Sequence, residues 1–500
     1  MEELQFTNLE SENCESGKVA VWDEHGIRYI LTTPSWKISD EEKEGGIIPL
    51  RPLAEGGQGV TYLTENPRVI IKFAKYNGRL IKDEEGLREY RRQIGYVATL
   101  PVPSSCNITL PETLLREYAG YRMIFLGNMR SFSDTFIEFE LQGERPTWLP
   151  EGKGYNKIWR YVQSGGLKRR LEAMGRLAAE LAKLHAHGIA YCDLSYNNVF
   201  ISDDSRENVV FLIDPDNLVE NGDERAMNIG TPPFRAPEIC LGEGCTIFSD
   251  TFTFAMLAFD LLCNHHPFQG KAFKAHPGFL EEKEDVTPFA WICDPSDDSN
   301  SQELLCPVEN LLSKELLMLF WQTFTIGKED PAERPYLGLW PERFFKEHDN
   351  LHICPDCGMG AVPTDRSQCP LCRTAWQDEL YFQVFDKDEK ELLWELRCPV
   401  DQKTLVIPER ALESFHLDSF DRTVLTVTLR KGKLYFQVDS SAAGKIDFLF
   451  GSSSSEQKNA TYVIDQNDCG QLAVSYAGKN RRKIRCKVIR NNGSRSTDKL

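Results

Sequence analysis

The chain has 500 residues, 27% of them charged, with a formal net charge of −17. That length exceeds one hydrophobic core, and the sequence has no apolar run of about 18 residues, which excludes a helical membrane span. The 15 cysteines are an odd number and, one tight group apart, are scattered singly, as free thiols of a reducing compartment would be.

The acidic N-terminus does not read as a secretory leader, so the expected location is cytoplasmic. Residues 377–500 carry 20 Lys/Arg and 18 Asp/Glu, which leaves −19 on the first 376 residues. That balance argues against an N-terminal part that grips nucleic acid by charge.

Residues 1–46 contain two strand-like runs, Lys18 to Trp22 and Ile27 to Thr32, around the turn Asp23-Glu24-His25-Gly26, and read as a hairpin or flap. The charged stretch from Asp40 to Gly46 reads as a linker. Leu53 to Leu63 then encloses a glycine-rich turn with Ala54, Gly56 and Gly59. Such a turn lets backbone N–H groups approach phosphate oxygens, although a plain hairpin would look the same.

Val69-Ile70-Ile71-Lys72 is an apolar strand ending in a lysine that can reach nucleotide phosphates. Leu80 to Val97 has helical character, and Glu84, Glu85 or Glu89 can pair with Lys72. Glu89, flanked by Leu87 and Tyr90, is the expected partner.

The central stretch is Tyr191-Cys192-Asp193-Leu194-Ser195-Tyr196-Asn197-Asn198, before the strand-like Val199-Phe200-Ile201. It sets an acid and an amide five residues apart. The acid can orient a substrate hydroxyl and accept its proton, while the amide oxygen ligates magnesium. Val209 to Ile213 is a second apolar strand that delivers Asp214, which taken alone reads as a strand-end carboxylate or turn former.

These tracts resemble the eukaryotic-type (Hanks-type) serine/threonine protein kinases, in a bacterial form with a C-terminal zinc ribbon. The resemblance implies a two-lobed fold with ATP in the cleft and a hinge formed by Tyr121 to Leu126 and Gly127-Asn128-Met129. It implies Asp193 as catalytic base, Asn198 and Asp214 as magnesium ligands, and Lys72 with Glu89 as phosphate clamp. Ala54, Gly56 and Gly59 would cover the nucleotide. Gly230 to Glu238 resembles the substrate platform of kinases that act on proteins, with Glu238 expected to pair with Arg334. Asp250 would anchor the catalytic-loop backbone, and His185 reads as a packed core histidine.

Six positions depart from the family. Tyr191 replaces histidine, Cys192 arginine and Ser195 lysine, Pro215 and Asp216 stand for the phenylalanine and glycine after the metal aspartate, and Ala54 stands for the first glycine of the glycine-rich turn. The arginine would grip a phosphorylated activation loop, and no Ser, Thr or Tyr lies between Asp216 and Gly230. Both features imply activity independent of activation-loop phosphorylation.

Residues 131–166 have no clear period and read as loop, whereas Leu167 to His185 repeats apolar residues every three or four positions, as a helix does. Near the C-terminal third, Cys354, Cys357, Cys369 and Cys372 form two C-x-x-C knuckles suited to structural zinc at about 2.3 Å per Zn–S bond, with His352 as a neighbour or substitute. After Trp376 repeated strand-like runs predict a β-sandwich or small barrel. Its tail, Arg481 to Val488, alternates basic and apolar residues. The basic face suits an acidic protein, a nucleic acid or the acidic half of the chain, and equally a charged edge strand that resists aggregation.

The expected fold class is α+β, a two-lobed protein-kinase fold followed by a small zinc ribbon and a C-terminal all-β domain. The expected division is a flap at 1–46, a kinase domain at 47–348 (small lobe 47–129, large lobe 130–348), a zinc ribbon at 349–376 and a β-rich domain at 377–500. The expected function is transfer of the γ-phosphate of ATP to Ser/Thr of a protein substrate, with Mg2+ and Zn2+ bound and no membrane partner. A pseudokinase scaffold, or a nucleic-acid-binding regulator acting through the C-terminal third, is the alternative.

Overall fold

The computed structural model describes residues 14–15, 18–45, 48–152, 154–204, 207–223, 230–276, 285–304, 306–402, 404–450, 461–465, 472–476 and 480–489. Its longest helix, Gly166–Ala186, turns Leu167, Leu171, Met174, Ala178 and Leu181 into the core, as their spacing predicts. Gly165 precedes it in the left-handed region at φ 103°, a conformation that favours glycine. The helix packs against Ile247–Cys263, which Thr246 starts with a reciprocal capping box to Ser249, and against Trp340–Asp349. Phe252, Phe254, Phe259, Phe320, Phe324 and Trp340 fill the space between these helices, mostly edge to face.

The N-terminal part is one antiparallel sheet, in which Arg28–Thr32 pairs with Gly59–Thr64, that strand with Val69–Tyr76, and that in turn with Gly120–Ile124. The lysine strand Val69–Tyr76 is buried on both faces. Ile70 and Ala74 meet Tyr90 and Ile94 of the helix Glu84–Val97, whereas Val69, Ile71 and Phe73 meet Val21, Tyr29 and Leu31 of the N-terminal hairpin. That hairpin is therefore part of the sheet, and it covers the face the helix leaves open.

Two segments differ from their sequence reading. Residues 131–166 contain the helix Tyr155–Gln163 and a helical turn at Ser133–Ile137. Short length hid the first, since only Ile158 and Tyr161 are buried. Part of the charged stretch read as a linker forms the helix Asp40–Gly45, with acidic residues in its first turn and Lys43 paired to Asp40 at 2.8 Å.

The C-terminal strands form two antiparallel sheets. One is ordered Leu392–Pro399, Glu379–Phe385, Asn480–Ile489, Leu472–Tyr476, Ile446–Phe450. The other is ordered Thr404–Pro408, Thr423–Arg430, Lys433–Val438, Thr461–Asp465. Phe382, Leu396 and Ile484 of the first share a core with Ile407, Val427 and Phe436 of the second. Ala179 and Phe345 of the long helices belong to that same core, and the four clustered cysteines pack on the core of the helical part. Among the described residues no helix is long and apolar enough to cross a membrane.

Candidate active site

The loop Tyr191–Asn198 leaves the long helix through Gly188 and the two-residue strand Ile189–Ala190. Asp250 holds its start. One carboxylate oxygen accepts the Tyr191 N–H at 2.6 Å and the other the Cys192 N–H at 2.8 Å. His185 Nε2 lies 3.1 Å from the same carboxylate, so this histidine packs behind the loop rather than facing the cleft. Tyr191 donates its hydroxyl to the Ile213 carbonyl, which joins the loop to the strand delivering Asp214. Cys192 sits at φ 72° and Asp214 at φ 57°, a conformation costly for most non-glycine residues and held here by the surrounding bonds.

The Asp193 carboxylate accepts the Thr231 hydroxyl at 3.2 Å and the Asn217 amide at 3.4 Å. Burial, and then the neighbouring Asp214 charge, push its pKa up against those hydrogen bonds. Such a carboxylate takes up a proton more readily than an exposed one. Asn198 donates its Nδ2 hydrogen to the Asp193 carbonyl at 2.8 Å, so its amide oxygen remains for a cation.

Lys72 reaches across from the small sheet to the same place. Its ammonium is ion-paired to Asp214 and lies 2.8 Å from Asp216. Burial alone would lower the Lys72 pKa, but the two carboxylates outweigh it and raise it. Gly59 is needed beside this strand, because a Cβ there would sit 2.9 Å from the Phe73 carbonyl and 3.3 Å from Lys72 Cε. Gly56 faces open space and bonds its N–H to the Gly59 carbonyl at 2.9 Å, with Ala54 opening the hairpin.

The expected pair of Lys72 with Glu89 is not formed. The Glu89 side chain is 73% exposed and its ion pair is with Arg92 at 3.9 Å. Tyr90, Ile94 and Val97 form the buried face of that helix, and Glu89 lies about 100° round from Tyr90. Asp216 was missed by sequence reasoning. Its signal was a second acid two positions after Asp214 on one tight turn, Pro215–Asn217.

Arg334 grips Glu238 with bonds of 2.6 and 2.8 Å, as expected, and also donates to the Phe248 and Gly327 carbonyls. Residues 224–229, within the stretch Asp216 to Gly230 expected to be an activation loop, lie outside the described residues.

Cys354, Cys357, Cys369 and Cys372 place their sulfurs within 4.8 Å of one another, with Cys354–Cys372 at 3.3 Å and Cys357–Cys369 at 3.7 Å. A tetrahedral Zn–S4 unit has edges of about 3.8 Å, so the four sulfurs fit zinc. His352 does not join them: its Nδ1 faces Glu379 at 2.9 Å and its ring stacks on Trp376.

Residues 156–334 match the family described as protein kinase domain. Over 246 residues the chain is 25% identical to the serine/threonine-protein kinase pkn2 of Myxococcus xanthus, covering 45% of this chain and 25% of that protein. It is 29% identical over 119 residues to a cGMP-dependent protein kinase of Toxoplasma gondii, covering 23% of this chain and 12% of that protein. Against human protein kinase C delta type it is 31% identical over 127 residues, covering 23% of this chain and 18% of that protein. The chain thus spans a quarter or less of the length of these three relatives.

Proposed function

We propose, from the premise that the chain carries a protein kinase domain of the serine/threonine type, that it transfers the γ-phosphate of ATP to Ser or Thr of a protein substrate. The observation that carries this is the meeting of Lys72, Asp193, Asn198 and Asp214 from three separate tracts at one cleft, with the Thr231 hydroxyl bonded to Asp193. Lys72 would hold the nucleotide phosphates, beneath the turn of Ala54, Gly56 and Gly59. Asp193 would orient the substrate hydroxyl and take its proton. Asn198 and Asp214 have the oxygens to hold Mg2+, which when bound neutralises phosphate charge. Asp250 and Tyr191 keep the loop in place while this occurs.

Activity independent of activation-loop phosphorylation follows from Cys192, whose buried side chain offers no cation to a phosphate. Zinc at the four cysteines would be structural, because four protein ligands leave no open position. We read residues 47–348 as the kinase domain, 349–376 as the zinc ribbon and 377–500 as the β-rich domain, with a cytoplasmic location. A non-catalytic scaffold is the second reading, motivated by Ser195 in place of a lysine.

Phosphosite mapping on a phosphatase-treated lysate incubated with the purified chain and MgATP tests the reading. New phosphoserine and phosphothreonine sites are expected. No new sites, or tyrosine sites alone, would contradict it.

A further inference from the structure

We infer that Asp216, and not an acid of the helix Glu84–Val97, is the positioning residue that holds Lys72 toward the nucleotide phosphates. The inference rests on the kinase reading above.

Four contacts support it. Asp216 Oδ2 lies 2.8 Å from Lys72 Nζ, and its Oδ1 accepts the Tyr121 hydroxyl at 2.7 Å. The Tyr90 hydroxyl stands 3.5 Å from Oδ2, and Gln93 donates to the Asp216 carbonyl at 3.0 Å. Only 14% of the Asp216 side chain is exposed, against 73% for Glu89. A buried carboxylate fixed by a lysine and a tyrosine is not a solvated surface charge.

The helix turns a tyrosine, not an acid, toward the cleft. Tyr90 and Gln93 touch Asp216, and the charges facing Lys72 are Asp214 and Asp216 from one turn. Pro215 between them fixes φ, so that turn presents its two carboxylates as one stiff unit. The lysine anchor and the metal ligand Asp214 then move together. A swing of the helix would break the hydrogen bonds of Tyr90 and Gln93 to Asp216 but not the lysine's own ion pair, which a helix-borne acid would lose.

The test compares wild type, Asp216→Asn, Asp216→Ala, Tyr121→Phe and Glu89→Ala. Initial rates at varied ATP give kcat and KM, and acetylation of Lys72 by an N-hydroxysuccinimide ester, read by mass spectrometry, reports its ion pairing without turnover. Both Asp216 variants are expected to lose about tenfold or more in kcat/KM for ATP, chiefly through KM, with Tyr121→Phe losing less. Their Lys72 should acetylate faster, because its nitrogen is no longer held by the Asp216 carboxylate. Glu89→Ala should match wild type in both readouts. The isosteric Asn variant separates lost charge from lost packing, and a melting curve on each variant reports folding. Loss of activity on Glu89→Ala with Asp216→Asn unchanged overturns the inference. If wild type transfers no phosphate the kinase reading fails, and Lys72 acetylation alone then decides: an unchanged rate in Asp216→Asn refutes the anchor.

Discussion

Arg410 grips Asp349 with two parallel bonds, Nη2 to Oδ1 at 2.8 Å and Nε to Oδ2 at 3.0 Å, at a site where both side chains are nearly buried. Trp394 adds an indole bond to the same carboxylate at 2.9 Å, and the guanidinium lies over the Phe345 ring. Asp349 closes the helix Trp340–Asp349, while Arg410 and Trp394 belong to the C-terminal strands and their connections. The pair therefore fastens the C-terminal sheets to the helical part.

Replacing Arg410 with alanine leaves a carboxylate buried without its cation, which costs about 3–5 kcal/mol. Urea unfolding should show that loss, or an early separate transition of the C-terminal strands. Burial alone would raise the Asp349 pKa, but Arg410 and His348 hold it below the usual carboxylate range. The unfolded state therefore binds this proton more readily, and the contribution is lost as pH falls through the depressed value. An Arg410→Ala protein as stable as wild type at neutral pH would contradict this account.

Glu347, two residues before the same helix end, has the opposite sign. Burial pushes its pKa up to about 8 against the bond to the Ser313 N–H. Between the ordinary 4.5 and about 8 the folded state keeps a proton that the unfolded chain has released, so stability falls as pH rises. The slope approaches about 1.4 kcal/mol per pH unit. Glu347→Gln should flatten thermal stability across that window and be the more stable protein at its alkaline end. A wild type with no decline there would refute the assignment.

Chelation should affect more than the cysteine segment. Cys354, Cys357 and Cys369 belong to the same core cluster as Leu167, Met359 and Ala361, and their segment packs at the start of the long helix Gly166–Ala186. One zinc per chain is expected by elemental analysis, and its removal should lower the melting temperature and phosphate transfer together. Transfer that persists in a zinc-free, fully folded chain would show the metal to be dispensable.

Full dephosphorylation should leave the initial rate unchanged, since Cys192 supplies no cation to receive a loop phosphate. A large fall in rate, restored by incubation with ATP, would count against that reading.

What was legible in the sequence followed from local pattern. The 3.6-residue repeat gave the long helix, and alternating residues gave the small-lobe strands. The spacing of Asp193, Asn198 and Asp214 drew attention to a site that the fold brings together. Spatial partners were less legible. Glu89 and Tyr90 are neighbours in sequence, yet the helix turns them about 100° apart, and only the structure shows that Tyr90 is the one buried against Asp216. The close tie of the C-terminal third was also hidden, because Arg410 and Asp349 are far apart in the chain and neither carries a motif.

The most direct test of the central claim is transfer of γ-labelled phosphate from MgATP by wild type and Asp193→Ala, both verified as folded. Incorporation into protein by wild type, and its near-complete loss in Asp193→Ala, is the predicted result. Equal incorporation by the two proteins, or none by wild type, would contradict the account.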